Sequence, residues 1–465
     1  MARNDNSGGG IKLLLVLLIL VMIAATGLVV WLCIDLVDRP VAPTQPPAQS
    51  LPQPTAAPTT EAPQPQAEPE TVVSTVTVAS MGDLVMHMPV VNTTRQADGS
   101  YDFESVFRYV KPYIEGYDYA LANLETTLAG TSVPYHGDPL FNSPDSLVDG
   151  VKAAGFDMLL TANNHASDTH TAGILRTVEQ VRQRGLTALG TQLSDEEPKY
   201  VIADVGGVKI GMACYTYATG QAAEGRPRLN GNAPVEKNGI VNYFLPKTPE
   251  KFYTEVEALL KTMKDQGADT TMLFLHWGIE YQTTEKPQQR EMAQKLCDLG
   301  VDVIVGSHPH VVEPVALVES TVDPGHKTVV IYSLGNAVSN QRTGVSHLFP
   351  DGYTEDGAIF TVTFEKYSDG KVYLADADVI PTWVNLRTNQ ENKKEYNILP
   401  LDKTREEEWQ SLYSLTDEAL EQAKKSYDRT DGIVSQGVQA CKDHLTQSKA
   451  AREQMYLEQA SGNPS

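Results

Sequence analysis

The run Val301-Asp302-Val303-Ile304-Val305, closed by Gly306-Ser307-His308-Pro309-His310, decides how this chain reads. The first half is β-branched and apolar, a strand. The second half puts two histidines at spacing two where that strand ends. In an extended chain, residues i and i+2 project to the same side, and Pro309 keeps the residue before it out of the helical region. The pair therefore presents two imidazoles to one site, and imidazole is the commonest neutral metal ligand. Other apolar runs end in the same way: one at His276, one at Asn163-Asn164-His165, and two more at Asp83 and Glu125. Metal or phosphate chemistry at the carboxyl edge of a sheet follows from that repetition.

Outward from this stretch, strand and helix patterns alternate. Thr71–Ser80 alternates and is β-branched, Tyr117–Leu124 and Phe156–Thr161 are strands, and Phe103–Ile114, Leu147–Ala154 and Thr171–Arg184 carry helical spacing. Tyr200–Asp204 and Val208–Tyr215 flank Gly206-Gly207, a hairpin signal. A helix over Pro249–Met263, a strand over Thr270–Leu275, a helix over Gln288–Leu299 and a strand over Lys327–Tyr332 continue the pattern. The hairpin Ala358–Lys366/Val372–Ile380 closes it. Alternation followed by antiparallel hairpins predicts a layered α/β domain with a mixed sheet or two sheets. The candidate residues all fall just after strands, where open α/β sheets bind ligands.

Residues 13–34 contain no charged side chain and match the roughly 20 residues that a bilayer-spanning helix needs. Arg3 and Lys12 precede them, which predicts an N-terminus (1–12) in the cytoplasm and the bulk of the chain outside the cell membrane. Trp31-Leu32-Cys33-Ile34 offers no small-residue cleavage site, so the segment reads as an uncleaved single-pass anchor. Ten prolines between Arg39 and Glu70 make residues 35–70 an extended stalk. Residues 71–385 are the main domain, and 386–465 turn polar, one or two exposed helices forming a C-terminal tail. The net charge of −22 argues against a nucleic-acid partner. Four scattered cysteines, one of them in the anchor, predict no disulfide framework.

Six motifs in order, Gly82-Asp83, Ala122-Asn123-Leu124-Glu125, Ala162-Asn163-Asn164-His165 with Asp168, His276-Trp277-Gly278, Gly306-x-His308-Pro309-His310 and Tyr332-Ser333-Leu334-Gly335-Asn336, span Val76 to Asn336. Singly each has an ordinary structural explanation: a turn, a helix cap, a buried histidine. Together they resemble the CapA family of poly-γ-glutamate capsule-synthesis proteins, within the calcineurin-like metallophosphoesterase superfamily. The resemblance implies a four-layer α/β/β/α sandwich with a two-metal site in the cleft between sheet edges. It implies Asp83, Glu125, Asn164, His276, His308 and His310 as metal ligands, Glu125 bridging, and His165 as general acid. Asn123, Asp168 and Asn336 are further candidates, Asp168 as an outer partner rather than a ligand. Phosphoesterases place a histidine two residues after the first aspartate, where this chain has Val85; His87 would substitute if the strand continued.

Carboxylates, an amide oxygen and imidazoles suit Mn, Fe or Zn rather than Ca. Two such ions would clamp a phosphoryl or similar oxyanion, and a nearby histidine would protonate the leaving group. The expectation is a membrane-anchored, outward-facing protein that acts in synthesis, export or attachment of an anionic capsule polymer, poly-γ-glutamate by resemblance, as a metal-dependent hydrolase or transferase. The alternatives are a non-catalytic polymer-binding subunit of a membrane synthase and a general envelope phosphodiesterase.

Overall fold

The computed structural model describes residues 69–222 and 225–461; the anchor and stalk expected over 13–70 lie outside the described residues except for the stalk's last two. Among the described residues no helix is long and apolar enough to cross a membrane. The strands are β1 (Val72–Leu84), β2 (Tyr119–Leu124), β3 (Met158–Leu160), β4 (Thr187–Leu189), β5 (Tyr200–Val205), β6 (Val208–Tyr217), β7 (Gly220–Gln221), β8 (Pro227–Arg228), β9 (Tyr243–Phe244), β10 (Thr270–His276), β11 (Val303–Ser307), β12 (Val312–Glu319), β13 (Lys327–Leu334), β14 (Asn336–Val338), β15 (Asp356–Tyr367), β16 (Val372–Thr388) and β17 (Lys394–Pro400).

Two mixed sheets form. One runs β17-β16-β15-β1-β2-β3-β4, with β14 beside β1; the other runs β12-β13-β11-β10-β6-β5, with β9 beside β6. The central strands β1 to β4 are parallel to one another, as are β6, β10, β11 and β13. The period-2 alternation of the strands assigns each side chain to a layer. Val76 and Val78 of β1, Met272 and Phe274 of β10, and Val303 and Val305 of β11 join one core between the two sheets. Their neighbours Ala79 and Met81 face a core shared with the helices Ser146–Ala153 and His170–Gln183. Leu273, Leu275 and Ile304 face the helices Glu250–Asp265 and Pro287–Asp298. Strands covered on both faces read as near-continuous apolar runs for this reason.

Three expectations change. The helical pattern Phe103–Ile114 divides into Glu104–Phe107 and Lys111–Ile114, because Pro112 has no N–H to continue one helix through the junction. Strand β16 runs past residue 385, β17 follows it, and the described residues 69–222 and 225–461 form one compact unit, so the packed fold continues past 385. The polar C-terminal stretch is not an exposed tail: the helix Asp417–Ser461 places Val434, Val438, Cys441 and Leu445 in the inter-sheet core. Its Gly437 backs onto β12 so closely that a Cβ there would sit 1.8 Å from the Val315 carbonyl oxygen. Cys214, Cys297 and Cys441 are buried thiols.

Candidate metal centre

The parallel strands of both sheets deliver polar residues at their carboxyl ends. Asp83 pairs in register with Asn123 on β2 and Asn336 on β14, while His276 pairs with Ser307 on β11 and Thr216 on β6. β1 and the β13–β14 turn meet at Gly82, where a Cβ would lie 1.9 Å from the Gly335 carbonyl oxygen. Only glycine allows that approach, which lets the Asp83 N–H bond to Gly335 O at 3.0 Å.

The structure gathers Asp83, Glu125, His276, His308 and His310 into two overlapping groups, Glu125–His276–His308 and Asp83–Glu125–His310. In each group one donor atom per residue lies within 4.8 Å of the others. Glu125 belongs to both. Its Oε1 is 3.4 Å from His276 Nε2 and 3.8 Å from His310 Nε2, and Asp83 Oδ2 is 3.2 Å from His310 Nδ1. Asn164 Oδ1 joins the first group, 2.7 Å from His276 Nε2. All six of these side chains are buried.

Around them stands a hydrogen-bonded shell. Asn123 donates to Asp83 Oδ1 at 2.8 Å and takes a bond from Asn163 Nδ2 at 3.2 Å. Ser307 Oγ lies 2.9 Å from His276 Nδ1. Asn336 Oδ1 lies 3.1 Å from His310 Nδ1, and its amide nitrogen donates to His310 O, Gln341 and Thr354 O. His165 Nδ1 is 2.8 Å from Asp168 Oδ2, an oxygen that also accepts from Phe141 N at 2.7 Å. Phe141 stands edge-on to the His165 ring.

Two readings of the sequence need correction. His308 and His310 are not extended: β11 ends at Ser307, and the two residues have φ of +98° and +58°. Left-handed backbone is costly outside glycine, and here it sends the imidazoles to different groups, His308 with His276 and His310 with Asp83. His87 joins neither group. β1 stops at Leu84 and a helix starts at Met88, so the chain turns away and His87 Nδ1 accepts from Asn340 N at 3.2 Å.

Sequence reasoning missed Ser307, which lies inside the quoted motif, and Tyr217. The Tyr217 ring is parallel to that of His276 (centroids 6.4 Å apart, 5°) and 4.8 Å from that of His308. Its only signal was position, one residue beyond the Thr216 that pairs with His276.

Electrostatics follow the crowding. Burial pushes the His308 imidazole well below its ordinary range, and the neighbouring His276 and His310 add to this. Burial alone would also lower His310, yet the carboxylates of Glu125 and Asp83 raise it to about 9. His165 is raised in the same way: Asp168, then Glu125, outweigh its burial. The residues fit a cation. Glu125 Oε1 and His308 Nδ1 are buried with no hydrogen-bond partner, a loss of about 1–3 kcal/mol for each such atom that coordination would remove. The mixed oxygen and nitrogen donors suit Mn, Fe or Zn.

Fold and site together define a class: a two-sheet α/β protein with a buried, carboxylate-linked pair of candidate metal-binding groups at the strands' carboxyl ends. The chain belongs to the bacterial capsule synthesis protein family PGA_cap, which it matches over residues 77–341. The PGA biosynthesis protein CapA of Bacillus subtilis (strain 168) is 28% identical over 311 residues, covering 65% of this chain and 72% of that protein. The capsule biosynthesis protein CapA of Bacillus anthracis is 27% identical over 311 residues, 66% of this chain and 67% of its own length. Among solved structures, the NAD nucleotidase NadN of Haemophilus influenzae is similar at a TM-score of 0.41 and 13% identity, over 82% of this chain and 68% of NadN.

Proposed function

We propose that this chain is a metal-dependent hydrolase or transferase of capsule assembly, with a metallophosphoesterase-type four-layer sandwich. It is anchored through residues 13–34 and acts outside the membrane on an anionic capsule polymer, poly-γ-glutamate by the family resemblance. The observation that carries the chemistry is the pair of donor groups hinged on Glu125, with Glu125 Oε1 and His308 Nδ1 both buried and unpartnered. Glu125, His276, His308 and Asn164 would hold one ion, and Asp83, Glu125 and His310 the other. A bound divalent pair supplies Lewis-acid polarisation of a substrate oxygen. The protein's own groups do the rest. Asp168 holds His165 by Nδ1, which leaves Nε2 free to deliver a proton to a leaving group, and the raised affinity of His165 for that proton suits an acid. Phe141 packs the ring in place.

The test is elemental analysis of the purified full-length chain, followed by turnover of a generic phosphoester with and without Mn. Two equivalents of metal and turnover lost in His308→Ala support the enzyme. A metal-free, inactive protein overturns it.

A second reading, a polymer-binding scaffold with a single ion, is favoured by one observation. The Asp83 group contains only three His/Asp/Glu donors, because Val85, just past the end of β1, is buried with its N–H on Val338 O and His87 is turned aside. One equivalent of metal and no turnover would mark it.

A further inference from the structure

Next to the donor groups lies a cavity of about 330 Å³ that the chemistry above does not use. Four rings line it, those of Tyr217, Phe244, Tyr253 and Trp277, with Ile279 (55% exposed) among them. The cavity and the donor cluster share a wall: Tyr217 has its ring parallel to that of His276 and close to His308, and Trp277 follows His276 in the chain. An occupant of the cavity therefore rests on the ring that packs beside His276 and His308.

The lining restricts what that occupant is. Aromatic faces take flat or methylene-rich groups, and an apolar wall penalises an unpaired charge. Lys286 lines the cavity with its ammonium donating to Gln282 at 3.1 Å, and Glu291 lines it as well. One cation against one anion gives no net attraction for a polyanion. Gln289, buried and held by Glu313, adds a fixed amide to the wall. Rings, amides and one accessible ammonium match a chain in which amide planes alternate with methylene pairs and carboxylates are widely spaced.

We propose that this cavity is a subsite for the repeat unit adjoining the reacting bond of a γ-amide-linked acidic polymer. The methylenes and amide of the repeat lie on the rings, and a single carboxylate faces Lys286. This rests on the function proposed above and specifies which part of the polymer the site reads. Because the contacts are apolar and amide-like, recognition is set by linkage rather than by charge. An α-linked oligoglutamate of equal length and charge has a shorter backbone repeat and places its carboxylates on longer side chains, so it does not fit.

The test is a tryptophan-fluorescence titration of the metal-loaded full-length chain, with Trp277→Phe showing which part of the change comes from the cavity wall rather than from the other three tryptophans. A γ-linked glutamate oligomer should change the signal, with an affinity that varies little between low and high salt. The α-linked oligomer should bind at least about tenfold more weakly, and Tyr253→Ala and Ile279→Asp should each weaken the γ-linked oligomer about tenfold while metal content stays at the wild-type level. Equal binding of the two linkages, a steep loss with salt, or indifference to Tyr253→Ala overturns the subsite. So does an equal response to a simple alkyl phosphate. Metal content and phosphoester turnover, measured on the same samples, report separately on the centre: a metal-loaded, active protein that ignores the γ-linked oligomer removes the subsite alone.

Discussion

Asp356 and Glu125 are both carboxylates sealed from solvent, and their surroundings are opposites. Asp356, at the start of β15, meets the long C-terminal helix. Arg429 donates to both of its oxygens at 2.6 and 2.7 Å, and Ser426 adds a bond of 2.6 Å. Both oxygens are bonded, and the pair closes on itself. Glu125 has three imidazoles within reach, no internal cation of fixed charge, and an oxygen without a hydrogen-bond partner. Buried charge costs several kcal/mol unless it is paired, so the first cluster is complete as a structural clasp while the second is complete only with something bound. The difference separates a carboxylate that holds the fold from one that waits for a ligand.

The largest effect should come from breaking the clasp. Asp356→Ala leaves Arg429 half-sheltered and unpaired, and should cost about 3–5 kcal/mol in denaturant unfolding. It should leave the response to metal intact in whatever fraction stays folded. If Asp356→Ala abolished metal binding in folded protein, the two clusters would be one system and the contrast would fail.

Next in size is the ligand itself. An ion that binds only the folded chain stabilises it by about 2.7 kcal/mol when present at a hundred times its dissociation constant. Mn or Zn should therefore raise the unfolding temperature of the wild type and of Asp356→Ala by similar amounts, and leave Glu125→Ala unmoved. Calorimetry with and without chelator reads this directly.

A third carboxylate lies between the two cases. Glu313 accepts from Gln289, keeps its other oxygen unpartnered, and has the charge of Lys286 as only a weak counterweight to its burial. Burial raises it from 4.5 to about 8, with Glu285 adding to the shift and Gln289 opposing it. The folded state then binds a proton that the unfolded state has released between those values. This contribution is full below pH 4.5 and is lost as pH rises towards 8, with a slope of at most about 1.4 kcal/mol per pH unit. Glu313→Gln should flatten that part of the stability–pH curve; an unchanged slope would show that Glu313 is ionised and resembles Glu125 more closely.

The same contrast explains what could be read in the sequence. The donor cluster was legible because each member sits where a strand's apolar alternation stops, a local signal repeated at Asp83, Glu125, Asn164, His276 and His308. A layered α/β domain was legible from period alone, which left one mixed sheet or two open. The clasp was not. The buried face of Asp417–Ser461 includes Ala423, Ser426, Thr430 and Cys441 beside the close approach at Gly437, and small or hydroxyl side chains give no apolar stripe, so composition suggested a solvated tail. Strand β17 (Lys394–Pro400) was hidden similarly, since its buried positions include Glu395 and Asn397, held by Arg387 and by a bond to Ser105 O. The left-handed turns at His308 and His310 left no trace, because histidine and proline are equally consistent with an extended end.

The smallest effect tests how that helix is attached. Besides Asp356–Arg429, Lys442 reaches Asp378 on β16 at 2.8 Å, with both side chains more than a third exposed. An ion pair in water of that kind contributes about 0–1 kcal/mol and is screened by salt. Lys442→Ala should therefore shift the unfolding midpoint barely at all, and the double variant with Asp378→Ala should show a coupling inside the same range that vanishes at high salt. If the pair instead carried several kcal/mol, surface charge would hold the helix on the sandwich, and the buried clasp at Asp356 would no longer be needed to explain why a polar segment packs there.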